Sequence, residues 1–174
     1  MKKFGLLAIA GAAFVALAQP AAAQDYMGKT LWTNLNFGMS QADVLAAQPT
    51  ATKPKKPEVG SDKAVCALEL QGYNVINRFF HVCMFFNNED KLVRVTLERK
   101  PSTNGDFEDI RNQLRAKYGQ ESEAQLGNSM LSFAKWHGET NTVILMLQKN
   151  MWDPRFGNII WVYREPMPSE NDKL

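Results

Sequence analysis

The stretch "AVCALELQGYNVINRFFHVCMFFNNEDKLVRVTLER", Ala64 to Arg99, decides the fold. It holds three runs rich in aromatic, β-branched and other apolar residues, at Ala64 to Leu70, Ile76 to Phe86 and Leu92 to Arg99, the composition of strands. "NNED", Asn87 to Asp90, supplies turn-forming side chains between the second and third. In the third run Val93, Val95 and Leu97 alternate with Arg94, Thr96 and Glu98, the pattern of a sheet covered on one side only. Parallel crossovers need about a dozen residues or more. These runs are closer than that, so the strands pair as antiparallel hairpins.

The same stretch contains both cysteines, Cys66 and Cys83. A first hairpin centred between Asn74 and Val75 sets Cys66 directly opposite Cys83. A disulfide there stabilises the fold by about 3 kcal/mol in the chain-entropy treatment; two buried thiols are the alternative. The absence of a Cys-x-x-Cys pair makes the cysteines structural rather than catalytic.

The middle run is apolar on both faces. Phe79, Cys83 and Phe85 fall on one, and Phe80, Val82, Met84 and Phe86 on the other. Either a further layer or loop covers the second face, or that face docks a partner, since aromatic and Met residues are enriched at interfaces. Phe80 and Phe86 are the contact candidates here.

Upstream, "LNFGMSQADVLAAQP", Leu35 to Pro49, reads as a punctuated helix. Ser40 is an N-cap and Asp43 its N3 residue. Met39 and Val44 can close as a hydrophobic staple, Gly38 allows the turn into the cap, and Pro49 stops the helix. "PTATKPKKPEVGSDK" follows, polar and proline-rich, the composition of a mobile surface loop. Downstream, "STNGDFEDIRNQLRAKYGQ" places Phe107, Ile110, Leu114 and Tyr118 on one helical stripe, with Gly119 as its end. Three more strand-like runs come next, at Met130 to Trp136, Thr142 to Gln148 and Asn158 to Arg164, with "HGETN" turning between the first two.

The order predicts an α+β fold: an antiparallel sheet with helices packed on one face, arranged as two tandem α-β-β-β units over residues 36–99 and 104–165. No residue-by-residue repeat accompanies that order. Residues 24–174 then form a single domain with a short, disordered C-terminal tail. Gly38-Met39-Ser40 followed by Val44 and Pro49 resembles the helix start of the small outer-membrane-assembly lipoproteins of the SmpA/OmlA type. That resemblance implies the two-layer α/β fold which they share with secreted β-lactamase-inhibitor proteins, where a helix–strand unit occurs twice. Two features depart from it: the lipid-bearing cysteine is missing, and Gln48 stands where a glycine often precedes the proline.

The N-terminus has the form of a secretory signal. Lys2 and Lys3 precede an apolar run from Phe4 to Ala18, and Ala21-Ala22-Ala23 offers small residues for cleavage after Ala23. A membrane span needs about 20 apolar residues, and Gln19-Pro20 interrupts this run first, so no stable membrane anchor is expected. The expected destination is the periplasm, where a disulfide can persist. The whole chain carries 20 Lys and Arg against 18 Asp and Glu; loss of Lys2 and Lys3 leaves 18 of each. A neutral chain makes a poor nucleic-acid partner, which requires clustered positive charge.

Reactive groups are sparse. His81 sits among phenylalanines as a strand residue, and His137 with Glu139 in "WHGET" falls two residues short of a metal site. No nucleophile elbow, phosphate loop, His-Glu-x-x-His or dinucleotide fingerprint is present. No catalytic residue, metal or cofactor is therefore assigned. "NMWDPRFGN" instead gathers Met151, Trp152, Arg155 and Phe156 around Asp153-Pro154, and Trp and Arg are over-represented at binding hot spots. The expected role is a non-catalytic module that binds another envelope protein, as an assembly accessory or an inhibitor. A small-ligand carrier or sensor is the alternative, with a periplasmic hydrolase behind it. N-terminal sequencing of the exported protein should begin at Gln24; a chain starting at Met1 in the membrane fraction would overturn the signal.

Overall fold

The computed structural model describes residues 28–127 and 130–166. The segment expected to be a secretory signal and the expected C-terminal tail from residue 167 lie outside the described residues.

Two short strands open the described chain, β1 (Thr30–Trp32) and β2 (Leu35–Asn36), followed by helix α1 (Gln41–Ala47). Strands β3 (Val65–Val75), β4 (Arg78–Phe86) and β5 (Leu92–Ser102) form a meander, and helix α2 (Asn104–Tyr118) comes after it. The strands β6 (Glu123–Gln125), β7 (Leu131–His137), β8 (Thr142–Lys149) and β9 (Gly157–Arg164) complete the fold. The larger sheet is antiparallel throughout, in the order β3-β4-β5-β9-β8-β7-β6. The α+β class and antiparallel pairing hold, with the sheet dominating the two helices. Helix–three-strand order recurs, with β6 inserted in the second unit and the β1–β2 hairpin ahead of the first.

Both helices are closed at their starts by reciprocal caps. The Ser40 hydroxyl accepts from the Asp43 N–H while the Asp43 carboxylate accepts from the Ser40 N–H; Thr103 and Asp106 repeat the arrangement at α2. Gly38 has φ +79°, a left-handed conformation that costs glycine nothing. Val44 from α1 and Phe107, Ile110 and Leu114 from α2 are buried against one face of the sheet, with Leu68, Phe80, Val82, Met84, Leu97, Leu145 and Trp161. Leu31, Trp32 and Leu35 of the small hairpin join the same core, which the Asn141 side chain anchors by donating to the Leu31 carbonyl at 3.1 Å.

The first hairpin differs from its expected register. Its turn lies at Ile76-Asn77, both at φ +56°, and two bulges interrupt β3, between Cys66 and Leu68 and between Leu70 and Tyr73. Cys66 therefore faces Phe85, and Cys83 faces Glu69. The disulfide still forms, joining diagonal neighbours on one face with Cα atoms 5.7 Å apart. A third bulge, at Val93, moves that side chain away from the Val95–Leu97 face and towards the disulfide cluster of Ala64, Cys66, Cys83 and Phe85.

The proline-rich segment is bound rather than free. Thr52 exchanges both backbone hydrogen bonds with Glu69, and the Glu58 carbonyl accepts from the Cys66 N–H. Asp62 then reaches Arg94 at 2.6 Å. The segment lies along the edge of β3 beside the disulfide cluster, whose residues are buried. Those unused strand-edge groups are what hold it, and composition alone does not display them.

Two carboxylates tie the second layer down. Glu121, 1% exposed in its side chain, accepts from Arg111 at 2.5 Å and Arg115 at 2.7 Å. Asp106 accepts from Arg78 at 2.6 Å and Arg99 at 3.1 Å, joining α2 to β4 and β5. Burial by itself would raise both carboxyls, but in each case the hydrogen bonds outweigh it and hold the group at about 2. Depressed carboxyls stabilise the fold fully above their unfolded values, 3.8 and 4.5, and lose that contribution as pH falls through the folded ones. Unfolding free energy should accordingly be flat near neutrality and decline below pH 4.5 towards 2. Glu121→Gln should cost about 3 kcal/mol in urea denaturation at pH 7 and flatten the acid limb.

Candidate functional site

The β8–β9 connection, residues 150–156, is stiffened by its own polar groups. The Asn150 side-chain oxygen accepts from the Trp152 N–H at 2.8 Å, and the Asn150 N–H donates to the Phe156 carbonyl at 2.8 Å. Asp153 accepts from the Arg155 backbone and, at 2.9 Å, twice from its guanidinium. That pairing lowers the Asp153 carboxyl and raises the Arg155 guanidinium. Gly157 closes the loop where any Cβ would collide with the Gln148 carbonyl. Within this frame Trp152 is 89% exposed, beside exposed Met151, Phe156 and Arg155.

Sheet register brings further apolar side chains to the same end. Lys149 pairs with Gly157, Gly157 with Ser102, and the Lys149 N–H donates to the Met130 carbonyl. Leu126, Met130 and Leu131 stand exposed before and at the start of β7, and Phe79, 66% exposed, stands at the start of β4. Among the described residues, the only other exposed large apolar side chains are Leu45 and Val59. The apolar exposure of the protein is thus concentrated at one end of the sheet.

Met151, Trp152, Arg155 and Phe156 share this end, as their sequence proximity suggested. Phe80 and Phe86 do not belong to it. They are 1% and 2% exposed, facing the helices with Val82 and Met84, and offer no surface to a partner. The alternation was correct and its exposure was reversed: the helices cover the Phe80–Phe86 face. On the other face, Phe85 and Cys83 are buried while Phe79 is left at the rim. Leu126, Met130 and Leu131 gave no signal because they flank a polar stretch of sequence rather than form a motif. Phe79 carried a usable signal, alternation opposite Phe80.

No family model, no curated protein and no solved structure matches this chain. The assignment of a role therefore rests on the geometry of the chain itself.

The histidines are separated and each faces a carboxylate. His81 Nε2 lies 2.9 Å from Glu69, within reach of a cleft of about 280 Å³ that Phe79, Glu98 and Lys100 also line. His137 Nε2 lies 2.9 Å from Glu123 rather than beside Glu139. Among the described residues, His, Cys, Asp and Glu nowhere gather in a group of three suited to a metal. The apolar end thus remains the best candidate site. Since Trp152 contacts so little, Trp152→Ala should leave the unfolding free energy within about 0.5 kcal/mol of the parent. Phe80→Ala, by contrast, should cost about 3–5 kcal/mol, both read by urea denaturation.

Proposed function

We propose that this chain is an exported, non-catalytic binding module that holds another protein of the cell envelope through its apolar end. The carrying observation is Trp152, 89% exposed on a loop that its own hydrogen bonds hold in shape. A large aromatic surface left in water is a cost to the free protein, and burial returns roughly 25 cal/mol for each Å² of apolar surface covered. Because the loop is already ordered, little conformational entropy remains to be lost on binding. Arg155, anchored by Asp153 beside the Phe156 ring, supplies a polar rim of the kind that surrounds hot spots. The disulfide, and the lack among the described residues of a helix long and apolar enough to span a membrane, fit an exported setting.

An assembly accessory and an inhibitor both use such a surface. The resemblance of the α1 start to envelope-assembly lipoproteins favours the first. Cross-linking in intact cells followed by purification tests the proposal. One envelope protein should recur and disappear with Trp152→Ala or Phe156→Ala, while the variants stay folded. Recovery of the protein alone, or a partner indifferent to both substitutions, overturns it.

A further inference from the structure

At the opposite end of the sheet, two arginines face each other across the central strand pair. Arg94 of β5 is the register partner of Arg164 of β9. Like charges directly opposite destabilise a sheet, so the pair calls for a physical reason. Arg94 is held on several sides. Its guanidinium lies 4.0 Å from the Phe85 ring centroid, and Nη1 meets Asp62 at 2.6 Å. Gly60 backs it so closely that a Cβ there would collide with Nη2. The side chain is only 14% exposed. Arg164 is looser, touching the half-exposed Glu165 at 3.4 Å. Among the described residues, the Nε–H groups of both arginines are buried without an acceptor.

Arg94 and Arg164 line a cleft of about 160 Å³ together with Asn87, Asp62 and Glu165. The Asn87 side-chain oxygen is already taken by the Glu89 and Lys91 N–H groups, which leaves its NH2 as a donor. Two guanidinium groups, each with an unfilled Nε–H, and one amide present donors in excess of the Asp62 and Glu165 acceptors. Asp62 satisfies one Nη of Arg94, and among the described residues neither Nε has an acceptor. Glu165 binds weakly and is exchangeable. Planar guanidinium forks match oxygen anions in pairs of parallel hydrogen bonds.

We propose that the Arg94–Arg164 cleft binds a small oxyanion, the phosphate or carboxylate head group of a ligand, held between the two guanidinium groups with Glu165 displaced. The site is independent of the apolar end and stands whether or not that end binds a protein.

The test is a titration of the mature protein, in phosphate- and carboxylate-free buffer at constant ionic strength, with inorganic phosphate and separately with acetate. Arginine side-chain N–H signals are read by nuclear magnetic resonance. The Nε–H signals of Arg94 and Arg164 should shift together and saturate with one Kd for at least one of the two anions; the tighter anion identifies the head group. Arg164→Gln should weaken that Kd at least tenfold, and Arg164→Lys, which keeps the charge and loses the fork, should weaken it as well. Lys55→Gln, a charge change on the neighbouring exposed loop, should leave it unaltered. Shifts that rise without saturating, or an Arg164→Lys protein binding as tightly as the parent, overturn the site. Should Arg164→Gln fail to fold, the Arg164→Lys titration decides.

Discussion

The pairing of β5 with β9 is the constraint on which the rest of the molecule depends. Each is the last strand of its meander, and each would otherwise present a long unpaired edge. Their register sets Leu97 against Trp161 and Val95 against Tyr163 on the helix-covered face. Trp161 packs edge-on to Phe80 at 6.4 Å and tilted against Tyr163 at 5.4 Å, so the first meander, the second meander and their seam share one cluster. Tyr163 is buried deeply enough that its phenol is pushed well above its ordinary value, since the ionised form would have to be desolvated. Both helices then fall on the same face, because that face alone carries a continuous apolar surface from β3 to β8.

The opposite face is finished by different means in its two halves. On the first meander, Cys66, Cys83 and Phe85 lie beside the bound proline-rich segment, with Arg94 stacked over the Phe85 ring. On the second, no helix or hairpin of the described residues packs over Phe133, Met146 and Ile160, which shield one another across neighbouring strands. A disulfide within the first hairpin suits this division. It pins the strand pair at the sheet margin, where one edge of β3 has only a loop for support.

Both ends of the sheet carry charged side chains, but among the described residues the exposed large apolar ones gather mainly at one. Near the apolar end, Asp106 gathers Arg78, Arg99 and the Thr103 cap, locking the start of α2 to β4 and β5 beside Phe79. Exposed aromatic side chains there project from a backbone that is hydrogen-bonded on every side, the condition for presenting a contact surface without ordering it at each encounter. The other end carries the opposed arginines and their partial counter-charges. A single sheet thus carries an exposed apolar cluster at one end and an opposed arginine pair at the other.

Much of the local chemistry was legible in the chain, though the short strands β1, β2 and β6 and the turn at Ile76-Asn77 were not. The Ser40 cap of α1, the Gly119 end of α2, the longer strand runs, the NNED and HGETN turns and the exposed cluster around Trp152 all depend on neighbours within a few residues, and such neighbours are present in the sequence itself. Three features were decided elsewhere. The turn at Ile76-Asn77 and two bulges in β3 together set the register in which Cys66 and Cys83 meet diagonally, and a bulge is specified by cross-strand fit rather than by residue type. The face of β4 that receives the helices was chosen by the partner layer: alternation separates Phe80 from Phe79 without saying which one is covered. The Arg94–Arg164 opposition needs a register between strands some 70 residues apart, and only the closed sheet supplies it. Sequence by itself determined the two helices, the six longer strands and their order, since these are short-range energies; the tertiary structure decided the short strands, faces, register and juxtaposition, since those minimise exposed apolar area and unpaired polar groups over the whole chain at once.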